Sequence, residues 1–225
     1  MDILVYLSRF IVLLFILPAH EFAHAFAAVK NGDNTPIAYG RYTLNPMKHF
    51  DPIGLVCFLL VGFGWAKPVP VNPYNFTNLK KGSFWVSIAG VLTNFVLAFL
   101  FYPLLLLALN FLPNMGIISQ FITMVFYWGY ALDLSFCVFN LIPIFPLDGF
   151  RLVDTFAKKR GKVYQFLRRY GYYTLLGLMI LNSVANSVPQ LSFLNIFGYF
   201  MKFATEIVGY PIKAFWEFIF SLIFG

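Results

Sequence analysis

Three long apolar stretches decide the solvent in which this chain folds. Ser83–Leu109 carries no charged residue, and Ile117–Ile142 carries only Asp133. Ile3–Val29 holds Arg9 near its start and His20, Glu21 and His24 near its end. Each exceeds the roughly 20 residues that a helix needs to cross a bilayer. Composition agrees: 60% of residues are hydrophobic and 11% charged, against about 45–50% and about 25% in soluble domains. With 29 Phe and 13 Tyr, a water-soluble fold would have more apolar surface than its interior could hold. The expected fold class is an all-α multi-pass membrane protein of about 4–6 transmembrane helices, with a re-entrant or short β-containing membrane-associated loop.

The first stretch has a competing reading as an export signal, because Arg9 is early and Ala25-Phe26-Ala27 resembles a cleavage site. Its length, and two histidines with a glutamate, favour a retained span. Tyr39–Leu44 reads as a short strand from its aromatic and threonine content. Pro52–Gly64 is apolar but too short to span, and reads as re-entrant or interfacial. Pro68, Pro70 and Pro73 then mark an extended loop. A further span is expected near Tyr170–Val188. The segment Leu191–Phe224, interrupted by Lys202, Glu206, Lys213 and Glu217, fits a span, a helix lying in the interface or two short helices.

The net charge of +7 sits in short loops. If Pro52–Gly64 does not cross, the loops with Lys30, Arg41 and Lys48, with Lys67, Lys80 and Lys81, and with Lys158–Arg169 share one side. The connector Asn110–Gly116, which has no charge, falls on the other. The positive-inside rule makes the basic side cytoplasmic. No basic helical face with interleaved aromatics lies outside the apolar segments, so no nucleic-acid partner is expected. Cys57 and Cys137 lack metal-site spacing and read as small buried hydrophobes.

The segment His20-Glu21-Phe22-Ala23-His24 carries the chemistry. On a helix, residues four apart share a face, so both imidazoles can reach one zinc ion. Glu21 projects beside the metal, where a carboxylate can act as general base towards water that zinc has made acidic. Ionisable groups in a membrane helix cost several kcal/mol or more on most scales and are functional by default.

Zinc needs a third protein ligand, with a fourth position left for water. Asp133 and Asp148 are the leading carboxylates. His24 lies roughly 9 Å of helix before Lys30, and Asp148 lies just before Arg151, so both are near the basic side. Asp133 is roughly 27 Å of helix from Arg151, almost across the hydrocarbon core. Depth therefore favours Asp148. The prolines of Asn140-Leu141-Ile142-Pro143-Ile144-Phe145-Pro146-Leu147-Asp148-Gly149 break the helix there. Membranes tolerate such a break only where protein or a wet cavity satisfies the backbone.

HEFAH at 20–24, the N-x-x-P-x-x-P-L-D-G pattern at Asn140–Gly149, and Gly40-Arg41-Tyr42-Thr43-Leu44-Asn45-Pro46 followed by His49-Phe50-Asp51-Pro52-Ile53-Gly54 form a joint signature. On these, the chain resembles the site-2 proteases, intramembrane zinc metalloproteases, in the compact bacterial branch lacking PDZ and CBS domains. The resemblance implies cleavage of a substrate's transmembrane segment, with one zinc ion held by His20, His24 and Asp148 and with Glu21 catalytic. One departure stands out: the family's G-P-x-x-N pattern reads Gly90-Val91-Leu92-Thr93-Asn94 here. Asn94 and Asn140 are candidate substrate-binding residues, with interhelical hydrogen bonding as the plainer role for both. His49 is expected to be structural.

The expected organisation is a single integral-membrane protease domain over 1–225, with its catalytic core over about 1–155 and further membrane helices over about 170–225. It would sit in the cell membrane as a multi-pass protein, with the active site near the cytoplasmic side. Its partners would be lipid, a membrane-protein or peptide substrate and, without a recognition domain, a regulatory membrane partner. A divalent-metal transporter and a catalytically inactive scaffold are the alternative readings.

Overall fold

The structure is a computed structural model that describes residues 3–61, 64–112, 116–158 and 160–224, the side chains of 58–61 excepted. Residues 62–63 of the short apolar run, 113–115 of the uncharged connector, and Lys159 lie outside the described residues. The helices in chain order are α1 (Ile3–Lys30), α2 (Thr35–Ala38), α3 (Pro46–His49), α4 (Pro52–Val61), α5 (Leu79–Phe111), α6 (Ile117–Leu141), α7 (Asp148–Phe156), α8 (Lys162–Ser187) and α9 (Ile196–Phe224). Of these, α1, α5, α6 and α9 are long and apolar enough to cross a membrane. No sheet forms among the described residues. The protein is an all-α multi-pass membrane protein, as its apolar stretches imply.

Side-chain pairing gives the helix directions. His20 meets Asn94 while His24 meets Val86, so α1 and α5 run antiparallel. Asn94 meets Asp133 while Tyr102 packs on Tyr130, so α5 and α6 also run antiparallel. The C-terminal ends of α1 and α6 and the N-terminal end of α5 therefore lie together, and α7 joins them there. Val12, Leu13 and Ile16 of α1 pack with Leu97, Phe101, Trp128 and Leu132 to hold the three helices in register. Many large side chains face outward, among them Phe15, Val96 and Ile117. In water such a surface would aggregate, whereas lipid tails accept it.

The segment between α1 and α5 leaves this end and returns to it. At ten residues, α4 is about 15 Å long, half the hydrocarbon thickness. An antiparallel bridge pairs Phe50 before α4 with Ala66 after it, and Lys67 N–H donates to the His49 carbonyl at 2.7 Å. Gly54 lies so close to the Trp65 carbonyl that a Cβ would sit 2.1 Å from its oxygen. Within the run expected to be re-entrant or interfacial, the described residues form this short helix and a return to the same end. The strand expected over Tyr39–Leu44 is replaced by a turn and bends. Gly40 has φ +64° there, a left-handed conformation that ends any extended run. Arg41 turns inward and donates to the Lys48, Lys67 and Pro68 carbonyls.

Downstream, α8 covers the span expected near Tyr170–Val188 but is not among the four membrane-length apolar helices. Lys162, Arg168 and Arg169, with Thr174, Asn182 and Asn186 further on, dilute its apolar character. The segment after it resolves into a 3-10 turn (Pro189–Leu194) and the single long helix α9, with Pro211 inside.

Candidate metal centre

The helical repeat of α1 stacks His20 and His24 on one face, buried to 7% and 3% exposure. Each ring is fixed from behind by α5. His24 Nδ1 donates to the Val86 carbonyl at 2.7 Å, and His20 Nδ1 lies 2.5 Å from Asn94 Oδ1. Both acceptors are oxygens, so the ring protons lie on Nδ1 and the Nε2 lone pairs are free. Those two Nε2 atoms are 3.0 Å apart. Gly90 makes room for them: a Cβ at that position would lie 2.4 Å from His20 Cε1 and 2.5 Å from His24 Nε2.

Asp148 arrives from the other side as the first residue of α7. The chain breaks helix after Leu141, and α7 folds back so tightly that a Cβ on Gly149 would lie 2.2 Å from the Leu141 carbonyl oxygen. A residue larger than glycine would push Asp148 away. As placed, Asp148 Oδ2 lies 3.5 Å from His20 Nε2 and 3.1 Å from His24 Nε2.

Three ligand atoms thus converge with mutual separations of 3.0, 3.1 and 3.5 Å. A tetrahedral zinc with bonds of about 2.0–2.1 Å separates neighbouring ligand atoms by about 3.3 Å. Asp148 Oδ2 is buried and makes no hydrogen bond. Two neutral nitrogens and a carboxylate oxygen facing one point repel each other unless a cation lies between them. The donor set fits zinc in type, number and spacing, and His20, His24 and Asp148 form the one such group among the described residues.

Comparison with known proteins agrees. Residues 112–182, which carry Asn140 and Asp148, match peptidase family M50. The chain is 39% identical over 164 residues to the "Putative zinc metalloprotease YwhC" of Bacillus subtilis (strain 168), covering 72% of this chain and 74% of that protein. The chain belongs to peptidase family M50. It is also similar to two proteins named "Putative zinc metalloprotease Rip2". The match is 33% over 140 residues for Mycolicibacterium smegmatis and 31% over 144 for Mycobacterium tuberculosis (strain ATCC 25618 / H37Rv). Each covers 60% of this chain and 51% of the relative, so the matched region is about half of either Rip2 protein. No solved structure matches.

In this M50 peptidase the residues singled out by sequence separate into two groups. A cavity of about 90 Å³ is lined by His20, Glu21, His24, Asn140, Asp148 and Arg151. Asn94 does not line it. Its amide is fully buried between His20 and Asp133. Asn140 Nδ2 donates to the Phe136 carbonyl of its own helix at 3.1 Å. His49, fully buried, donates from Nε2 to the Thr43 carbonyl at 2.8 Å and belongs to the loop rather than the metal group.

Two features carry no local sequence signal. Pro68 and Val69 also line the cavity, and Val69 N–H donates to Glu21 Oε2 at 2.9 Å. The returning strap therefore fixes one oxygen of this carboxylate. The strap is itself anchored by Asp33, whose carboxylate accepts from Asn72 N–H at 2.7 Å and Asn75 Nδ2 at 2.8 Å. A buried aspartate followed by Thr35 reads in sequence as an ordinary turn.

Proposed function

We propose that this M50 peptidase is an intramembrane zinc endopeptidase that hydrolyses peptide bonds in or near transmembrane segments of membrane proteins. The observation that carries the reading is the convergence of His20 Nε2, His24 Nε2 and Asp148 Oδ2 at the end where α1, α5 and α6 meet. When bound there, zinc supplies a Lewis acid that polarises the scissile carbonyl and acidifies water. The chain's own residues do the rest. Glu21 lines the same cavity, where its carboxylate takes a proton from the attacking water and later delivers it to the leaving amine. Val69 N–H holds one carboxylate oxygen and leaves the other for this transfer. Asn140, a wall of the cavity, is the side-chain amide placed to bind substrate backbone.

The positive-inside rule, applied to the basic loops, supports a cytoplasmic position for this end in the cell membrane. The break between α6 and α7 is where an unwound substrate reaches the site, because regular helix is already interrupted there. Residues 1–225 act as one protease domain.

Glu21→Gln tests the assignment. It is expected to lower cleavage of a panel of purified single-span segments by about 10²–10⁴-fold while retaining zinc. Asp148→Asn is expected to weaken zinc binding as well. Normal cleavage by Glu21→Gln, or its loss of zinc, would break the role given to Glu21.

A further inference from the structure

Asp133 is a buried ionisable group for which the proposed reaction has no use. It lies in the membrane-length helix α6 with no exposed surface, where an ionisable side chain is costly. Its Oδ1 accepts from Asn94 Nδ2 at 2.6 Å, and its Oδ2 has no hydrogen-bond partner. Asn94, equally buried, turns its Oδ1 to His20 Nδ1 at 2.5 Å. A continuous chain therefore runs from carboxylate to amide to imidazole across α6, α5 and α1.

The two histidines differ in what holds them. His24 leans on the Val86 carbonyl, which can only accept, so its proton has to lie on Nδ1. His20 leans on a side-chain amide, which has a donor end and an acceptor end. If that amide turned over, an NH₂ would face His20 Nδ1. The proton would move to Nε2, the ligand atom, and the lone pair meant for the metal would be lost. A carboxylate on the far side of Asn94 removes the ambiguity. It accepts the NH₂ and forces the oxygen towards His20.

We propose that Asp133 is a positioning residue for the metal ligand His20, acting through Asn94 to fix the ring's tautomer. This rests on the zinc reading above. Ligating histidines commonly donate their other N–H to a carboxylate or carbonyl, and loss of such a partner costs roughly 10–100-fold in metal affinity. Here an asparagine is interposed, which moves the carboxylate one residue further out. It also makes Asn94 part of the metal site's support rather than a substrate contact.

The test uses the full chain in detergent, with zinc affinity from chelator competition and the visible absorption of the cobalt-substituted protein as a report of ligand geometry. Asp133→Leu is expected to weaken zinc binding roughly 10–100-fold and to shift the cobalt bands, as is Asn94→Leu. In the Asn94→Leu background, Asp133→Leu is expected to add nothing, because its effect passes through Asn94. Wild-type affinity in a folded Asp133→Leu, or losses that multiply in the double variant, would overturn the proposal. If the leucine variant does not fold, Asp133→Asn decides. Its amide permits both orientations of Asn94, so affinity should fall about twofold when Asn94 is present and not at all in Asn94→Leu. No fall in the first case, or a fall in the second, overturns it. Wild type that binds no zinc would defeat the metal reading itself, whereas zinc-binding wild type with unaffected variants defeats this inference alone.

Discussion

Helix α1 buries Val12, Leu13, Ile16, both histidines and Ala25, Ala27 and Ala28, whereas the described part of α9 buries Gly209 and Ile212 alone. The first helix packs along both α5 and α6. The last leans on them through a few directed contacts: Tyr102 Oη donates to Glu217 Oε1 at 2.6 Å, and Trp216 Nε1 donates to the Phe99 carbonyl at 2.9 Å. Gly209 sits where a Cβ would lie 2.5 Å from Tyr130 Oη. In lipid, apolar burial drives helices together only weakly, so small residues and hydrogen bonds decide which helices pack. Both regions use those devices to different ends. Around α1 the polar groups converge on one point and leave lone pairs open, which makes a metal site. Around α9, Tyr102 pairs with Glu217 and Trp216 with a backbone carbonyl, which only attaches a helix.

The comparison can be broken most forcefully at Gly90. Both imidazoles are pinned through Nδ1 and cannot retreat from a new methyl group. Overpacking of this kind costs about 1–3 kcal/mol, so Gly90→Ala is expected to weaken zinc binding roughly ten- to hundredfold. Unchanged affinity, measured by chelator competition, would mean that the rings are not held as described.

A smaller effect is expected at the other region. Tyr102→Phe removes the hydroxyl that binds Glu217, and such membrane hydrogen bonds average about 0.6 kcal/mol. Thermal unfolding in detergent should shift slightly while zinc content stays the same. A change in zinc content would tie α9 to the metal site.

The smallest effect concerns the strap. Burial alone raises the Asp33 carboxyl, but hydrogen bonds from Thr35, Asn75 and the Asn72 backbone outweigh it, and its pKa is lowered. The folded state therefore holds this proton less tightly than the unfolded chain, whose carboxyl titrates near about 3.9. The stabilisation is complete above that value and is lost as pH falls through the lower, folded pKa. Asp33→Asn should melt lower than wild type at neutral pH, with the difference shrinking in acid. A difference that does not depend on pH would assign the strap's anchoring to other contacts.

Much of this was legible in the chain itself. The membrane helices follow from apolar runs, the paired histidines from a four-residue spacing, and the preference for Asp148 over Asp133 from depth along a helix. The rest depends on contacts that no local pattern records. His20 and Asn94 are separated by 74 positions, and Glu21 and Val69 by 48. The strand expected over Tyr39–Leu44 yields to a turn, where Arg41 finds carbonyl acceptors at Lys48 in α3 and at Lys67 and Pro68 in the returning strap. A span was expected near Tyr170–Val188, but the cations and amides of α8 dilute its apolar character. Gly90 and Gly149 stand in recognisable patterns, but the pattern does not say why glycine is needed there. The reason is the backbone or ring that comes within a methyl group's reach.

The most direct test of the account is the zinc content of the detergent-purified protein beside His24→Ala and Asp148→Ala. The account predicts about one zinc per chain in the wild type and loss from both variants. Metal-free wild type, purified without chelators, would contradict it. Zinc lost from His24→Ala but retained by Asp148→Ala would contradict the third ligand.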